Sequence, residues 1–394
     1  MTPFFVLSTF AFFIGIYLVY WIHSRHRMDI VVQPLQPLAS PAPFLSVIVP
    51  ARNEECNIGR CVEALLSQSY PGYEVLVLDD RSTDSTAQIL QSCLVKDDKK
   101  RLRIIPGVEL PQGWAGKPHA LYQAARQAQG EWLCFVDADT FVMPEALAST
   151  MRTAVEQRAD LFTILTDQEL ETFWEKVILP VVFTALAVGF PPRKVNDPKS
   201  DDAIANGQFI LIRHDVYEKI GGHAAVKGSI VEDKDLARVV KGAGYRLIIA
   251  DGRVMATTRM YTSLREMWEG WTKNMYLGLR GSPEMLVLGA FGATLALFAA
   301  LVMPLWPLAG LTWLLLGGGL PALLTIAESL ILWGYLLTVR VLAARAFHIP
   351  GWYGLTLPLG AAIFAAMMIV SAYKVLSGQG VSWKGRNYDI KRRV

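Results

Sequence analysis

Residues 131–139 read Glu-Trp-Leu-Cys-Phe-Val-Asp-Ala-Asp, an apolar run that leads into two acidic residues. The apolar run predicts a buried β-strand, and Asp137 and Asp139 follow where this strand ends. Two carboxylates that flank one residue of an extended segment point to the same side, because side chains alternate along a strand. Such a pair is a natural oxygen site for Mg²⁺ or Mn²⁺. The alternative is a solvated loop whose acidic residue caps a helix.

The sequence on either side predicts further strands that alternate with helices. Residues 44–50 and 73–80 are short apolar runs, and the second of them ends at Asp79 and Asp80. Residues 57–69 and 117–129 show helical spacing. This alternation predicts an α/β domain with a mostly parallel sheet and helices on both faces. Ligands of such sheets bind beyond the carboxyl ends of the strands, where these acidic residues collect.

The composition excludes several classes of protein. Of the 394 residues, 52% are apolar and 19% are charged, whereas average usage is nearer to a quarter charged. An intrinsically disordered chain is excluded, and a wholly soluble enzyme is not favoured. The net charge of 38 − 35 = +3 is too small to indicate a nucleic-acid partner. The four cysteines match no zinc pattern and predict free thiols in the cytoplasm.

The excess of apolar residues lies at the two ends of the chain. Residues 4–22 carry no charge and are long enough to cross a hydrocarbon core of about 30 Å. No basic residue precedes them and no small-residue cleavage site follows, which predicts a retained anchor rather than a signal peptide. The basic residues at 23–27 place the following chain in the cytoplasm. Residues 285–373 predict three or four further spans, and the glycines at 317–319 leave this number open.

These features predict five segments in an integral protein of a bacterial-type inner membrane. They are an anchor at 1–23, a proline-rich linker at 24–43, a cytoplasmic catalytic domain at 44–280, a transmembrane bundle at 284–375 and a basic tail at 376–394. Residues 177–190 are apolar but too short to span, which predicts a helix lying in the membrane interface. A catalytic domain held against the bilayer in this way predicts an amphiphilic lipid acceptor.

Five motifs occur in the order found in family 2 glycosyltransferases of the GT-A fold. They are Val49–Glu55, Leu78–Asp84, Gly116-Lys117, Asp137–Asp139 and Glu232-Asp233. Over about residues 45–275 the sequence resembles this family, which implies a Rossmann-like mixed sheet between N- and C-terminal transmembrane helices. Residues 113–120, with the pattern of spans, are most similar to the membrane enzymes that glycosylate carotenoids. Hopanoid-associated and ceramide glucosyltransferases are also similar.

The resemblance implies a binding site for a UDP-sugar donor. The residues that would bind the nucleotide are Ala51, Arg52, Glu54, Asp79, Asp80, Lys117 and Asp137. Asp80, or its neighbour Asp79, would accept a hydrogen bond from uracil. Lys117 would pair with the diphosphate, and the positive end of its helix would add to its charge. Asp139 would hold the Mg²⁺ or Mn²⁺ that bridges the phosphates.

The resemblance also implies an acceptor side, in which Asp233 is the general base and Glu232 lies beside it. Acidic residues that only complement a helix dipole are the alternative. Gln208 would bind sugar hydroxyls, although a turn and strand explain it almost as well. Processive members of the family carry Gln-X-X-Arg-Trp after the base. Residues 266–274 lack that glutamine, while Trp271 would replace the tryptophan of the motif and Lys273 or Arg265 its arginine.

The predicted function is therefore the transfer of one sugar from a UDP-sugar to a membrane lipid, with inversion at the anomeric carbon. Glucose is the first candidate for the sugar. The acceptor group would be a hydroxyl or a carboxyl, and a carotenoid is the first candidate for the acceptor. A hopanoid, a sphingolipid and a polyprenyl phosphate are the alternative acceptors. A polysaccharide synthase is less favoured because the glutamine is missing. No nucleic-acid partner is expected.

Overall fold

The computed structural model describes residues 3–25, 28–34, 42–279, 283–298, 303–377, 381–383 and 386–388. This described chain divides into two compact units. The α/β unit contains Met28–Glu169 and Pro192–Met260, together with the described part of the C-terminal tail. The helical unit contains the N-terminal helix, Leu170–Pro191 and the described residues that follow Met260 up to residue 377.

The α-helices and strands are numbered along the chain. The helices are α1 (Pro3–Arg25), α2 (Ile58–Leu66), α3 (Thr86–Lys96), α4 (Gly116–Ala125), α5 (Ala146–Glu156), α6 (Phe173–Gly189), α7 (Pro192–Asn196), α8 (His214–Lys219), α9 (Glu232–Gly242), α10 (Leu264–Leu279), α11 (Pro283–Leu297), α12 (Met303–Leu315), α13 (Gly319–Ala346) and α14 (Leu357–Leu376). The strands are β1 (Leu45–Ala51), β2 (Tyr73–Asp79), β3 (Leu102–Pro106), β4 (Trp132–Val136), β5 (Thr140–Val142), β6 (Leu161–Leu165), β7 (Asp167–Gln168), β8 (Phe209–Arg213), β9 (Leu247–Asp251), β10 (Ala256–Thr258), β11 (Val381–Trp383) and β12 (Arg386–Tyr388).

The α/β unit is built on a seven-stranded sheet of order β3-β2-β1-β4-β8-β6-β9. The strands run parallel except β8, which is antiparallel to both of its neighbours. The central strands are buried along almost their whole length, as expected for strands covered on both faces. This is the predicted α/β class, and β8 makes the sheet mixed.

The strand register brings the predicted site residues to one edge of this sheet. Ala51 at the end of β1 pairs with Asp79 at the end of β2. Ile48 pairs with Phe135, so β4 also runs parallel to β1 and ends at the same edge, just before Asp137. A smaller sheet has the order β5-β10-β7, and its strand β5 begins at Thr140, shortly after this edge in the sequence.

The helical unit contains the apolar segments at both ends of the chain. Within the described residues, three helices are long and apolar enough to cross a membrane: Pro3–Ile22, Gly319–Ala346 and Gly351–Lys374. The third of them begins with a 3-10 turn at Gly351–Thr356. Helix α11 lies at the start of the predicted transmembrane region 285–373, and residues 299–302, shortly after it, lie outside the described chain. The choice between three and four C-terminal spans therefore stays open.

A polar contact ties the first helix to the C-terminal helices. Glu328 of α13 accepts hydrogen bonds from the hydroxyls of Ser8 (2.9 Å) and Thr9 (2.7 Å) on α1. Trp306 of α12 in turn donates its indole N–H to the Ser8 oxygen at 3.1 Å. We call these four residues the Glu328 clasp. One turn or more beyond it, Gly15 lies against Leu332, so α1 and α13 run parallel.

Helix α6 contains the predicted interfacial residues 177–190 except the last. It begins with a capping box in which Thr172 accepts from the Glu175 N–H and the Glu175 carboxylate accepts from the Thr172 N–H. Its Val177 carbonyl lies directly against Gly360 of α14. At its other end, Arg25 donates to the Val188 carbonyl at 2.9 Å. The helix is thus packed within the helical unit, and its place in a membrane stays a prediction.

Candidate functional site

Lys117, Asp137 and Glu232 form the charged centre of the site. The Lys117 ammonium lies 2.6 Å from Asp137 Oδ1 and 2.9 Å from Glu232 Oε1. Lys117 is in the first turn of α4, Asp137 follows β4, and Glu232 begins α9. Three separate elements thus bring one cation and two carboxylates to the carboxyl end of the sheet.

Asp233 lies beside this centre and is held by the backbone. Its Oδ2 accepts from the Gly207 N–H at 3.0 Å, and its Oδ1 accepts from the Lys234 N–H at 2.7 Å. A Cβ atom placed on Gly207 would lie 3.0 Å from Asp233 Oδ2 and 3.2 Å from the Lys117 nitrogen. The absence of a side chain at Gly207 therefore allows these two charged groups to approach each other.

A small cavity opens between these residues and is lined by both charged and apolar side chains. Its lining consists of Lys117, Leu121, Phe135, Val136, Asp137, Gly207, Ile210, His223, Glu232 and Asp233. Electrostatic interactions are stronger in such a partly apolar pocket than in water, because the local dielectric constant is lower.

The electrostatics of the site favour an ionised lysine and a carboxylate of raised basicity. Burial and the nearby Glu232 raise the pKa of Asp233 to about 6, against the opposing effect of Lys117. Burial also raises the pKa of Asp137 although Lys117 lowers it. For Lys117, burial favours the neutral amine, yet its carboxylate neighbours raise its pKa well above the usual value. Asp233 is thus suited to accept a proton near neutral pH.

His223 is a lining residue that the sequence reasoning missed. It is buried, and its Nδ1 lies 2.9 Å from the Tyr217 hydroxyl. Burial lowers the pKa of His223 to about 4, so the ring is neutral at physiological pH. Gly221 and Gly222, both with positive φ, form the turn that directs it inward. This Gly-Gly-His run was the available signal, but it does not distinguish a core histidine from a site residue. Gly207 was also missed.

The residues predicted to line the nucleoside pocket meet at the ends of β1 and β2. The Asp80 N–H donates to the Ala51 carbonyl, and Arg52 Nη1 donates to the Asp80 carbonyl, both at 2.7 Å. Asp79 Oδ1 accepts from the Ser82 N–H at 3.0 Å and so shapes the turn after β2. Asp80, which is buried, and Asp79 therefore have different surroundings although they are adjacent.

The loop after β1 is tied to the loop after β2. The Glu54 N–H donates to the Thr86 hydroxyl at 2.8 Å, and the Asn53 side chain accepts from the Thr83 N–H at 2.9 Å. Asn53 and Arg81 have φ of 52° and 59°, in the left-handed region. Arginine rarely adopts this conformation, and such strain is concentrated at functional loops.

Asp139 is the residue predicted to hold a metal. It lies three residues beyond the end of β4 and is partly exposed. The described part of the chain contains no group of three or more His, Cys, Asp or Glu side chains arranged as a metal site. Mg²⁺ and Mn²⁺ often take one or two protein carboxylates, and water and substrate phosphates supply the other ligands. The carboxylate of Asp139 fits an ion held in that way.

The remaining predicted residues are Gln208, whose backbone carbonyl accepts from the Asp137 N–H at 3.4 Å, and two residues of the helical unit. The Gln208 side-chain oxygen is buried and accepts from Asn206 (3.2 Å), Thr166 and Gln168. Its role toward a sugar stays a prediction, because this oxygen is already used inside the protein. Trp271 and Lys273 are buried on α10 of the helical unit.

Known proteins resemble this chain in sequence and in fold. Residues 46–221 match the family described as Glycosyl transferase family 2. The 4,4'-diaponeurosporenoate glycosyltransferase of Staphylococcus aureus (strain USA300) is 28% identical over 258 residues. That alignment covers 63% of this chain and 66% of the relative, slightly less than two thirds of its length.

A solved structure extends the likeness to nearly the whole fold. It is the mannosyltransferase PcManGT from Pyrobaculum calidifontis in complex with GDP-Man and Mn²⁺, with a TM-score of 0.55 at 19% identity. The likeness covers 94% of this chain and 97% of that one. The predicted family 2 domain and the predicted mixed α/β sheet are confirmed. This chain carries a glycosyltransferase family 2 domain of the GT-A fold, with apolar helices at both ends that are able to span a membrane.

Proposed function

We propose that the protein transfers one sugar from UDP-glucose to an oxygen of a membrane lipid, with a carotenoid as the first candidate. The observation that carries this proposal is the arrangement of Asp233 beside Lys117 at the carboxyl edge of the sheet. The family of residues 46–221 and the apolar helices support it.

On the donor side, the chain must bind a diphosphate whose negative charge grows as the bond to the sugar breaks. Lys117 at the start of α4 supplies a cation and the positive end of a helix. When Mg²⁺ or Mn²⁺ is bound, with Asp139 as its protein ligand, it supplies further charge neutralisation. Preorganised positive charge of this kind is a large contribution to catalysis. The nucleoside would lie against the joined loops after β1 and β2.

On the acceptor side, Asp233 would take the proton from an attacking hydroxyl. A hydroxyl needs such a base within hydrogen-bond reach, and the raised pKa of Asp233 improves its basicity. The backbone N–H groups of Gly207 and Lys234 orient the carboxylate. Direct in-line attack on the anomeric carbon would invert its configuration, so an α-linked donor would give a β-glycoside.

The apolar helices and the named relative support a lipid as the acceptor. The Staphylococcus aureus protein is named for a diaponeurosporenoate, and that name denotes a carboxylate. A carboxylate or a polyprenyl phosphate is already ionised and needs no base, whereas the hydroxyl of a hopanoid, a sphingolipid or a carotenol does. The need for Asp233 therefore separates the two chemical classes of acceptor. A polysaccharide synthase is less supported, since residues 266–274 lack the glutamine of the processive pattern.

The test is to incubate membranes that contain the full chain with labelled UDP-glucose, Mn²⁺ and a panel of lipid acceptors. The extracted lipids are then analysed by mass. We expect one lipid product that carries a single hexose, and none from the Lys117→Ala variant. Asp215→Asn, which alters an exposed carboxylate of α8, is the matched control and keeps the activity. GDP-mannose serves as a competing donor. If no lipid product forms with any acceptor, the proposal is wrong.

A further inference from the structure

Arg340 of α13 is a half-buried cation that the catalytic proposal does not use. Its Nε atom is enclosed and has no hydrogen-bond partner. Neither a hydrogen bond nor an ion pair of this guanidinium occurs within the described ranges. The one acidic residue of α13, Glu328, lies twelve positions earlier, about 18 Å along the helix axis, and is engaged in the Glu328 clasp.

The stem of Arg340 packs against the 3-10 turn that follows α13. A Cβ atom placed on Gly354 of this turn would lie 2.8 Å from Leu337, 3.5 Å from the Arg340 Cβ and 3.6 Å from Val341. These three residues form one face of α13, because their spacing of three and four residues brings them together. Arg340 thus faces the turn, while Leu342 on another face is exposed.

The turn itself has the chemistry of a membrane–water interface. Trp352 and Tyr353 stack with their ring centres 3.9 Å apart, and Trp352 is 55% exposed. Paired aromatic residues at the end of an apolar helix are typical of the headgroup level. A second cation, Lys176 of α6, lies with its nitrogen 5.9 Å from the centre of the Tyr353 ring. We call Arg340, Lys176, Trp352 and Tyr353 the Arg340 ledge.

A buried N–H group without a partner is unfavourable, and a buried charge is more so. A guanidinium matches the geometry of an oxyanion and binds phosphate through two parallel hydrogen bonds. The exposed side chains of Trp352 and Leu355 around this position suit an acyl chain rather than a soluble anion. Basic pockets between membrane helices bind anionic headgroups in this way. We propose that the Arg340 ledge binds the phosphate of an anionic membrane lipid.

The direction of the helices agrees with this site. Helices α1 and α13 run parallel, so Arg340 lies toward the end of the bundle at which α1 reaches Arg25. The basic residues at 23–27 predict that this end is cytoplasmic. The cytoplasmic leaflet is the one that carries a negative surface potential from anionic lipids.

The experiment measures lipids retained by the purified full chain. The protein is exchanged into detergent with equal amounts of phosphatidylglycerol and phosphatidylcholine, and the bound lipids are counted by native mass spectrometry. Arg340→Gln is compared with Arg345→Gln, which removes the same charge at an exposed position of the same helix. Arg340→Lys keeps the charge but loses the forked geometry. Monodisperse elution confirms that each variant is folded.

We expect the chain to retain phosphatidylglycerol in preference to phosphatidylcholine. Arg340→Gln should lower this retention about tenfold, Arg340→Lys less, and Arg345→Gln less than about twofold. An equal loss in Arg340→Gln and Arg345→Gln would overturn the proposal, because it would show diffuse attraction. Equal retention of the two lipids would also overturn it. Displacement of the lipid by millimolar inorganic phosphate would assign the site to a soluble anion instead and reject a lipid site. If Arg340→Gln fails to fold, Arg340→Lys and the phosphate competition decide whether the Arg340 ledge binds an anionic lipid.

Discussion

Lys117 contacts two carboxylates at once, and a third lies across Gly207 from it. One cation therefore balances only part of the negative charge of Asp137, Glu232 and Asp233. Burial and the nearby Glu232 raise the pKa of Asp233, while Lys117 remains protonated. The charged forms suited to binding a diphosphate and accepting a proton thus coexist at neutral pH.

The first prediction concerns the pH dependence of transfer to a hydroxyl acceptor. Because Asp233 acts as a base only when ionised and its pKa is about 6, kcat should rise with pH up to about 6 and then level off. Asp233→Asn should lower kcat for a hydroxyl acceptor by about 10²-fold or more, and it should spare a carboxylate acceptor. A stopped assay with both acceptors from pH 5 to 8 measures this. Full activity of the variant on a hydroxyl acceptor would contradict the role of the base.

The same shift has the opposite sign for stability. The carboxylate of Asp233 ionises less readily in the folded chain than in the unfolded chain, where its pKa is near 3.8. Its contribution to stability is therefore fully present below about pH 4 and is lost as pH rises through about 6. Activity and this part of the stability change in opposite directions over that interval.

The second prediction concerns Gly207. Alanine at this position would force Asp233 and Lys117 apart by a few tenths of an ångström, since its Cβ would lie 3.0 Å and 3.2 Å from them. We expect Gly207→Ala to lower kcat about tenfold with little change in the melting temperature. Gly242→Ala is the control, because a Cβ there meets nothing within 4 Å. Equal kinetics for both variants would show that this close approach is not needed.

At the scale of elements, the packing of α6 depends on a glycine of the neighbouring helix α14. A Cβ at Gly360 of α14 would lie 2.5 Å from the Val177 carbonyl and 3.1 Å from Val181. A backbone carbonyl cannot turn away as a side chain does. The close packing of α6 on α14 is therefore possible only with glycine at this position.

The third prediction follows from this contact. Gly360→Ala should destabilise the helical unit by about 2 kcal/mol, because overpacking a close helix contact shifts the backbone. The change would appear as faster hydrogen exchange in residues 173–189 of the detergent-solubilised chain. Gly334→Ala on α13, where a Cβ meets nothing within 4 Å, is the matched control. Unchanged exchange in α6 would mean that this packing does not stabilise the helix.

The sequence was most informative where local patterns coincide with structure. The buried strand at Trp132–Val136 was predictable, as was the position of the acidic residues after it. Few other local structures fit a short apolar run that is followed by carboxylates. The antiparallel direction of β8 was not predictable, since strand pairing is set by contacts distant in sequence. His223 and Gly207 were missed for the same reason: their importance lies in what the fold places against them. The partners of Glu328, some 320 residues away, were equally invisible.

At the scale of the whole molecule, the side of the membrane on which the α/β unit lies is open to a direct test. Of the four cysteines, Cys56 is exposed, whereas Cys61, Cys93 and Cys134 are buried. Cys56 therefore reports the location of the α/β unit without an introduced cysteine.

The fourth prediction is that a membrane-impermeant maleimide labels the chain in inside-out vesicles and not in intact spheroplasts. The basic residues at 23–27 are the reason, because they predict that the following chain is cytoplasmic. Cys56→Ser should abolish the labelling in vesicles, which shows that the reagent reports this position. Labelling of intact spheroplasts would place the α/β unit on the outer side.

The Glu328 clasp has a practical consequence for expression and for biogenesis. Ser8 and Thr9 are synthesised about 320 residues before Glu328, whose carboxylate accepts their hydrogen bonds. Helix α1 is therefore complete long before α13, its partner in the clasp, has been made. Shortened versions that begin at the α/β unit, a common choice for crystallisation, would leave Glu328 without these hydroxyl donors in an apolar bundle. Co-expression of α1 as a separate peptide is the more promising route to such versions.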